Sequence, residues 1–176
     1  NIGIGHTRWA THGGVTEVNA HPHLAADEVA IVHNGIIENY AELKAELLVK
    51  GHEFSSQTDS EVLAHLFLDI VRQGYEGPQA MQQVLARIKG AFALAVMLRG
   101  NPDTLFVARN ASPLAIGIED GLVCVASDAM AMAHLTRNVI YLKDGDYAAL
   151  SLDDLQIFDR NNQPANREII RTSASP

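Results

Sequence analysis

The stretch Val29–Ile37, VAIVHNGII, is an apolar run interrupted by His33, Asn34 and Gly35. A continuous apolar run that meets turn residues is typical of a buried strand ending in a sharp turn. The residues that follow, ENYAELKAELLVKGH, place apolar side chains at the spacing of one helical face and end at a glycine. The sequence therefore predicts one buried strand that leads directly into one amphipathic helix.

Further along the chain, the pattern predicts two more helices and then a series of strands. A helix begins at Thr58, three residues before Glu61, which is the spacing of a capping box, and a weaker helix fits 78–88. Seven strand-like segments follow at 91–98, 104–109, 114–119, 122–127, 139–143, 146–150 and 155–159. Because several are apolar on both faces, we expect an α+β fold with sheets sandwiched between helix layers.

Composition narrows the classes of function. The 176 residues are enough for one domain with a sizeable core, and the net charge of −8 argues against binding a nucleic-acid backbone. Without an apolar run long enough to span a bilayer, a membrane role is not expected either, and we expect a cytoplasmic protein. The polar segment 161–176 is typical of a linker, so the predicted domain covers 1–160.

Arg8 lies between the strand-like IGIG and the tight THGG, so the pattern predicts it at the end of a strand. Its planar fork could grip a carboxylate by two parallel hydrogen bonds, with further donors from Thr11, His12 and the amides of Gly13 and Gly14. The alternative is an ordinary surface arginine beside a glycine turn.

Asn34 and Gly35 offer a side-chain NH2 and an unhindered backbone N–H at one point, which is what a developing oxyanion needs. An ordinary Asn–Gly turn is the alternative. Asp59 could be a first-turn helix carboxylate beside Thr58, or it could pair with an ammonium group. Together with Arg8, such a carboxylate would hold a free α-amino acid by both ends.

The histidines raise the alternative of a metal site, and the single cysteine raises the question of a reactive thiol. Five histidines lie between positions 6 and 33, and His21 and His23 in HPH could bind a metal on one face of an extended segment. Pro22 and the lack of a nearby cysteine weaken this pattern, so structural hydrogen bonding is favoured. The single cysteine, Cys124, excludes an internal disulfide and lies in an apolar strand, where a buried hydrophobe is expected.

Five motifs occur in order over nearly the whole chain. They are GHTRWATHG at 5–13, NAHPH at 19–23, VHNGIIEN at 32–39, TDSEV at 58–62 and ASPLAIG at 111–117. Together they resemble the glutaminase domain of the glutamine:fructose-6-phosphate aminotransferases, a family of class II glutamine amidotransferases. The resemblance implies a four-layer αββα N-terminal-nucleophile hydrolase fold with two stacked antiparallel sheets.

The resemblance also implies how the substrate, L-glutamine, is held. Arg8 would bind the α-carboxylate, with help from Thr11 and His12. Asp59 and the Gly35 carbonyl would receive the α-ammonium group.

For the reaction itself, the resemblance implies that the Asn34 side chain and the Gly35 N–H form the oxyanion hole. Trp9 would lie near the substrate, and His21 and His33 would have structural roles behind the site. No metal and no cofactor is implied.

In this family the nucleophile is an N-terminal cysteine, whereas the chain begins with Asn1 and has Cys124 alone. We therefore expect the chain to start partway through the domain, with the fold incomplete at its N-terminus, and to lack glutaminase activity by itself. The resemblance further implies a sugar-phosphate isomerase domain beyond the linker and a homodimeric full-length enzyme. Two alternatives remain: a glutaminase serving another acceptor, as in amidophosphoribosyltransferase, or a non-catalytic glutamine-binding module.

Overall fold

The computed structural model describes residues 2–10 and 12–172, which form three α-helices and ten strands. The helices are α1 (Tyr40–Val49), α2 (Asp59–Arg72) and α3 (Gly77–Leu85). The strands are β1 (His23–Ala25), β2 (Val29–Ile37), β3 (Gly90–Leu98), β4 (Leu105–Asn110), β5 (Ala115–Glu119), β6 (Leu122–Ala126), β7 (Asn138–Tyr141), β8 (Tyr147–Leu150), β9 (Leu155–Phe158) and β10 (Ile169–Arg171). Every helix and strand predicted from the periodicity from residue 29 onward is present, with ends shifted by at most a few residues.

The strands form two antiparallel sheets. The larger has the order β1-β2-β3-β4-β8-β9 and the smaller has the order β10-β7-β5-β6. The three α-helices cover the outer face of the larger sheet, and a short 3-10 helix, Ala129–Met132, packs on the outer face of the smaller one. The prediction of an α+β fold with two stacked antiparallel sheets is confirmed.

Strand β3 shows how the layers are built, because its side chains alternate between two environments. Phe92, Leu94 and Val96 face the helices and belong to the larger hydrophobic core. Ala93 and Ala95 face the second sheet and belong to the core between the sheets. Because alanine side chains fill little volume, the space between the two sheets is not fully filled at β3, which leaves room for a groove.

The start of α2 follows the predicted capping box only in part. The Oγ1 atom of Thr58 accepts the N–H of Glu61 at 3.3 Å, as expected for an N-cap. The Glu61 carboxylate does not return to Thr58 but accepts hydrogen bonds from the backbone and hydroxyl groups of Ser55 and Ser56. The glutamate therefore fixes the loop that enters the helix.

The chain ends differ from the sequence prediction. Residues 2–5, predicted as a strand, form no strand in the structure. From residue 161 the predicted linker instead packs on the domain as far as Thr172: the Ala165 N–H donates to the Ile157 carbonyl of β9, and β10 pairs with β7. Polar composition suggested a linker, but the tail carries the partner of a buried acid, since Arg167 binds Asp146 through two 2.7 Å contacts.

No helix within the described residues combines the length and the apolar character needed to cross a membrane.

Candidate active site

The end of β2 and the start of α2 are joined by side chains. The Ile37 N–H donates to Asp59 Oδ2 at 2.8 Å, and His33 Nδ1 lies 2.8 Å from Ser60 Oγ. Asp59 is 2% exposed, and it is the first residue of α2, where the helix dipole stabilises a carboxylate. Strand β2 therefore delivers Asn34 and Gly35 next to a buried negative charge.

Within residues 2–10 and 12–172, Oδ1 of Asp59 accepts no hydrogen bond. This oxygen lies 3.8 Å from His12 Nδ1, and this buried ring nitrogen has no hydrogen bond within the described residues. A buried carboxylate with a single N–H donor is poorly compensated. The site is therefore chemically suited to receive a cation between Asp59 and its surroundings.

Gly35 is required by its geometry. Its φ is +123°, and a Cβ placed there would lie 2.0 Å from the Ala91 carbonyl oxygen. Any other residue type would collide with strand β3, so the backbone N–H and C=O of this position stay unobstructed by a side chain. The neighbouring Asn34 is exposed, and its Oδ1 lies 2.6 Å from His6 Nε2.

Arg8 folds the loop that carries it. Its Nη1 donates to the Gly14 carbonyl and its Nη2 to the His12 carbonyl, each at 2.9 Å, while its backbone has a φ of +46°. The Arg8 guanidinium predicted to bind a carboxylate is therefore present at the site, but in this structure it donates to carbonyl groups of its own loop. Thr11, another predicted substrate contact, lies outside the described residues.

Four of the predicted residues, Asn34, Arg8, His12 and Asp59, are linked by a chain of contacts. The Arg8 N–H donates to His6 Nδ1 at 2.8 Å, so Asn34 is linked through His6 and Arg8 to His12, and His12 faces Asp59. His6 is the member that the sequence analysis did not single out. Its position two residues before Arg8, in GHTR, was the available signal.

The histidines behind the network are held neutral by burial. Burial lowers the pKa of His21 to about 3, helped by the nearby His6, and lowers the pKa of His33 to about 4. The His21 ring lies between those of His6 and His23, with centroids 4.1 and 4.9 Å away. Among residues 2–10 and 12–172, no group of three or more His, Cys, Asp or Glu is arranged to hold a metal.

Asn34 opens onto a groove of about 900 Å³ between the two sheets. Trp9, 91% exposed, borders it together with Ala93 and Ala95 of β3. Trp9 therefore lies at the border of the groove that Asn34 also lines.

Cys124 borders the same groove. Its thiol nevertheless faces Met132 at 3.4 Å, under the 3-10 helix on the outer face of the smaller sheet. Burial raises the pKa of this thiol, so the reactive thiolate is suppressed at neutral pH.

Comparison with known proteins identifies the family. A family model described as a glutamine amidotransferase domain matches residues 6–134. The chain is 52% identical over 167 residues to a protein of Mesorhizobium japonicum named glutamine–fructose-6-phosphate aminotransferase [isomerizing], and 50% identical over 175 residues to a protein of the same name from Bradyrhizobium diazoefficiens. The alignments cover 95% and 99% of this chain but only 27% and 29% of those relatives.

Solved structures of related enzymes share the fold. The glutamine phosphoribosylpyrophosphate amidotransferase of B. subtilis has a TM-score of 0.70 and 26% identity, covering 88% of this chain and 34% of its own. A structure described as the allosteric regulatory enzyme of purine biosynthesis has a TM-score of 0.71 and 28% identity over the same shares. These likenesses confirm the fold implied by the motifs, and since the family model spans well over half of the residues, the chain belongs to the glutamine amidotransferase family.

Proposed function

We propose that this site hydrolyses the side-chain amide of L-glutamine, and that the chain is the glutaminase part of a glutamine:fructose-6-phosphate aminotransferase. The ammonia released would then convert fructose 6-phosphate into glucosamine 6-phosphate, leaving glutamate. The observation that carries the proposal is the placement of Asn34 and Gly35 on β2 within one network that reaches the buried Asp59. The shared name of relatives about half identical to the chain supports the choice of acceptor.

The substrate is held by its charged ends. The α-ammonium group lies between Asp59, whose Oδ1 accepts no hydrogen bond from the described residues, and the carbonyl oxygen of Gly35. The α-carboxylate binds the N–H groups of Arg8 that the loop carbonyls leave unused, with His12 and Thr11 beside it. Two opposite charges at fixed separation select a free α-amino acid over a peptide.

The reaction passes through an oxyanion. A cysteine thiolate attacks the side-chain carbonyl carbon, and the oxygen becomes negative while it accepts hydrogen bonds from Asn34 Nδ2 and the Gly35 N–H. The amide nitrogen takes up the proton that the thiol gave up, the C–N bond breaks and ammonia leaves, and water then hydrolyses the thioester to glutamate. Cys124 is not this nucleophile, because its thiol faces Met132 and its pKa is raised.

In the complete enzyme the ammonia passes to a sugar-phosphate isomerase domain of the same chain, within a homodimer. Trp9 stands exposed at the border of the groove and is suited to cover bound glutamine. His21 and His33 act as neutral supports behind the site, as their low pKa values require.

The test is glutamate release by a full-length form, in which residues 1–176 are extended to the length of the relatives. Replacing Asn34 by alanine should lower kcat by about 100- to 1000-fold, the usual cost of one oxyanion donor, with little change in the KM for glutamine. Asn166→Ala, an exposed asparagine outside the site, is the matched control. An unchanged kcat in Asn34→Ala would contradict the oxyanion role, and glutamine binding without any hydrolysis by the parent protein would favour a binding module.

A further inference from the structure

His6 makes two hydrogen bonds that determine where its ring proton lies. The Arg8 backbone N–H points at His6 Nδ1 over 2.8 Å, and a backbone N–H can only donate. Nδ1 must therefore be the unprotonated, accepting nitrogen. In a neutral imidazole the proton then lies on Nε2.

This proton in turn decides the orientation of the Asn34 amide. His6 Nε2 lies 2.6 Å from the Asn34 side chain, and a protonated Nε2 can only donate. The amide atom facing it must be the oxygen, Oδ1, because an NH2 group there would oppose a second donor. The Asn34 Nδ2 is consequently turned away from His6, which leaves its two N–H groups free to donate elsewhere.

The third element of the arrangement is the support of His6 itself. Its ring packs against that of His21, with centroids 4.1 Å apart and an angle of 46° between the planes. Both nitrogens of His21 are buried without a hydrogen bond within the described residues, so His21 does not compete for the His6 proton. The bond from Arg8 is therefore what selects the tautomer.

We propose that His6 is a positioning residue. Its Nδ1 accepts the backbone N–H of Arg8, and its Nε2 proton holds Asn34 with the NH2 group facing the reacting carbonyl. The inference rests on the proposed glutaminase function and adds to it a coupling between the Arg8 loop, which binds the α-carboxylate, and Asn34, which stabilises the oxyanion. The loop that carries Arg8, the group placed at the α-carboxylate, also sets the donor at the other end of the substrate. If the Arg8 loop were displaced, the His6 ring proton would no longer be fixed on Nε2. The Asn34 amide would then lose its fixed orientation as oxyanion donor.

The first test measures the tautomer directly and needs no activity. In the 176-residue chain labelled with ¹⁵N-histidine, long-range ¹H–¹⁵N correlation spectra distinguish a protonated ring nitrogen from an accepting one. Assignment comes from the His6→Gln variant, and the exposed His134 serves as the internal comparison. We expect Nε2 of His6 to be protonated and Nδ1 to be accepting. A protonated Nδ1, or averaged signals like those of His134, would overturn the proposal.

The second test uses a matched pair of variants in the full-length form. Gln and Glu have the same shape, but only Gln can donate toward Asn34 Oδ1. His6→Glu presents an acceptor, which turns the Asn34 NH2 toward residue 6 and its oxygen toward the reacting carbonyl. We expect His6→Gln to lower kcat by about tenfold at most, the worth of one hydrogen bond, and His6→Glu to approach the loss of Asn34→Ala.

A double-mutant cycle separates orientation from the added charge of Glu. In an Asn34→Ala background, the orienting effect has no amide to act on, so the kcat difference between His6→Gln and His6→Glu should shrink about tenfold or more. An equal difference in both backgrounds would overturn the proposal. If Asn34→Ala itself left kcat unchanged, the oxyanion assignment would fail, while the tautomer spectra would still decide whether His6 orients Asn34.

Discussion

Asp59 combines two tasks that can be separated by a single substitution. One carboxylate oxygen accepts the Ile37 N–H and so ties α2 to β2, while its charge is proposed to bind the α-ammonium group. Replacing it by asparagine keeps an oxygen for the Ile37 N–H but removes the charge. We therefore expect Asp59→Asn to lose mainly the binding contribution, and Asp59→Ala to lose both the structural and the binding contributions.

We expect Asp59→Asn to raise the KM for glutamine by about tenfold to 150-fold, the range of about 1.5–3 kcal/mol for a charge-assisted hydrogen bond, with a smaller loss of thermal stability than Asp59→Ala. Steady-state glutaminase kinetics and thermal unfolding of each variant measure the two effects. Asp120→Asn, an exposed aspartate in the turn between β5 and β6 and outside the groove, controls for the change in net charge. A normal glutamine KM in Asp59→Asn would remove the carboxylate from the binding site.

Gly35 shows what local sequence could and could not reveal about the site. An Asn–Gly pair after an apolar run predicts a turn, yet both residues lie within β2 and pair with β3, opposite Ala93 and Phe92. The requirement for glycine comes from the Ala91 carbonyl of the adjacent strand, more than 50 positions away in the chain. Periodicity carries no information about such a contact, so the local sequence left an ordinary turn open beside the oxyanion role, and only the family motif favoured that role.

At the level of elements, Thr58 connects the start of α2 to β1. Its Oγ1 accepts the Glu61 N–H and lies 2.9 Å from His23 Nε2, with Thr58 itself buried. Thr58→Ala should lower the free energy of unfolding by about 1–2 kcal/mol, since the N-cap and a buried hydrogen bond are both lost. Thr58→Ser keeps the hydroxyl and should recover most of this loss in urea unfolding. Equal losses in both variants would assign the effect to the methyl group instead.

The join between β2 and α2 should also be sensitive to acid. Burial lowers the pKa of His33 from 6.5 to about 4, so between these values the unfolded chain binds a proton that the folded chain does not. The free energy of unfolding therefore falls as the pH decreases through this window and is fully present above about pH 6.5. His21, with its pKa lowered to about 3, acts in the same direction.

Urea unfolding at about pH 7.5 and about pH 5 measures this effect above the range where most carboxylates titrate. We expect His33 to account for about 1–2 kcal/mol of the difference. His33→Asn can still bond to Ser60 Oγ but does not titrate, so its stability should depend less on pH. The exposed His134→Asn should leave the pH dependence unchanged, and a similar change in both variants would contradict the prediction.

The helices and strands were largely predictable because each buries one or both faces in a regular pattern. The continuous apolar run of β3 and the Thr58 start of α2 were sufficient for that. The prediction of a strand at Ile2–Gly5 was wrong because an apolar pattern indicates which side chains could be buried but not whether a partner strand lies beside them. In the structure Ile2 and Ile4 are half-buried along the groove without strand pairing.

At the scale of the whole molecule, an ion pair fastens the C-terminal segment. Asp146 has a 1% exposed side chain, precedes β8, and is bound by both Nε and Nη2 of Arg167. Arg167→Ala would leave a buried carboxylate with the Lys143 N–H as its described donor, so the free energy of unfolding should fall by about 3–5 kcal/mol. Chemical unfolding measures this loss.

Arg171→Ala is the matched control, because this arginine lies exposed on β10 and an exposed charge contributes about 0–1 kcal/mol. A small effect of Arg167→Ala would support the composition-based assignment of this region as a linker. The error in that assignment has a clear cause. Composition describes residues 161–172 as polar, but the partner that neutralises Arg167 is an aspartate about twenty residues earlier.

The C-terminal segment also determines how the domain would respond to mechanical load. Its residue Ala165 is bonded to β9 of the larger sheet, Arg167 holds the residue before β8, and β10 is paired with β7 of the smaller sheet. A pulling force applied at Thr172 would therefore first strain the short β10–β7 pairing and then reach the ion pair. The load is therefore borne by β7 of the smaller sheet and by Asp146 before β8, rather than by β2 and the Asn34–Gly35 site.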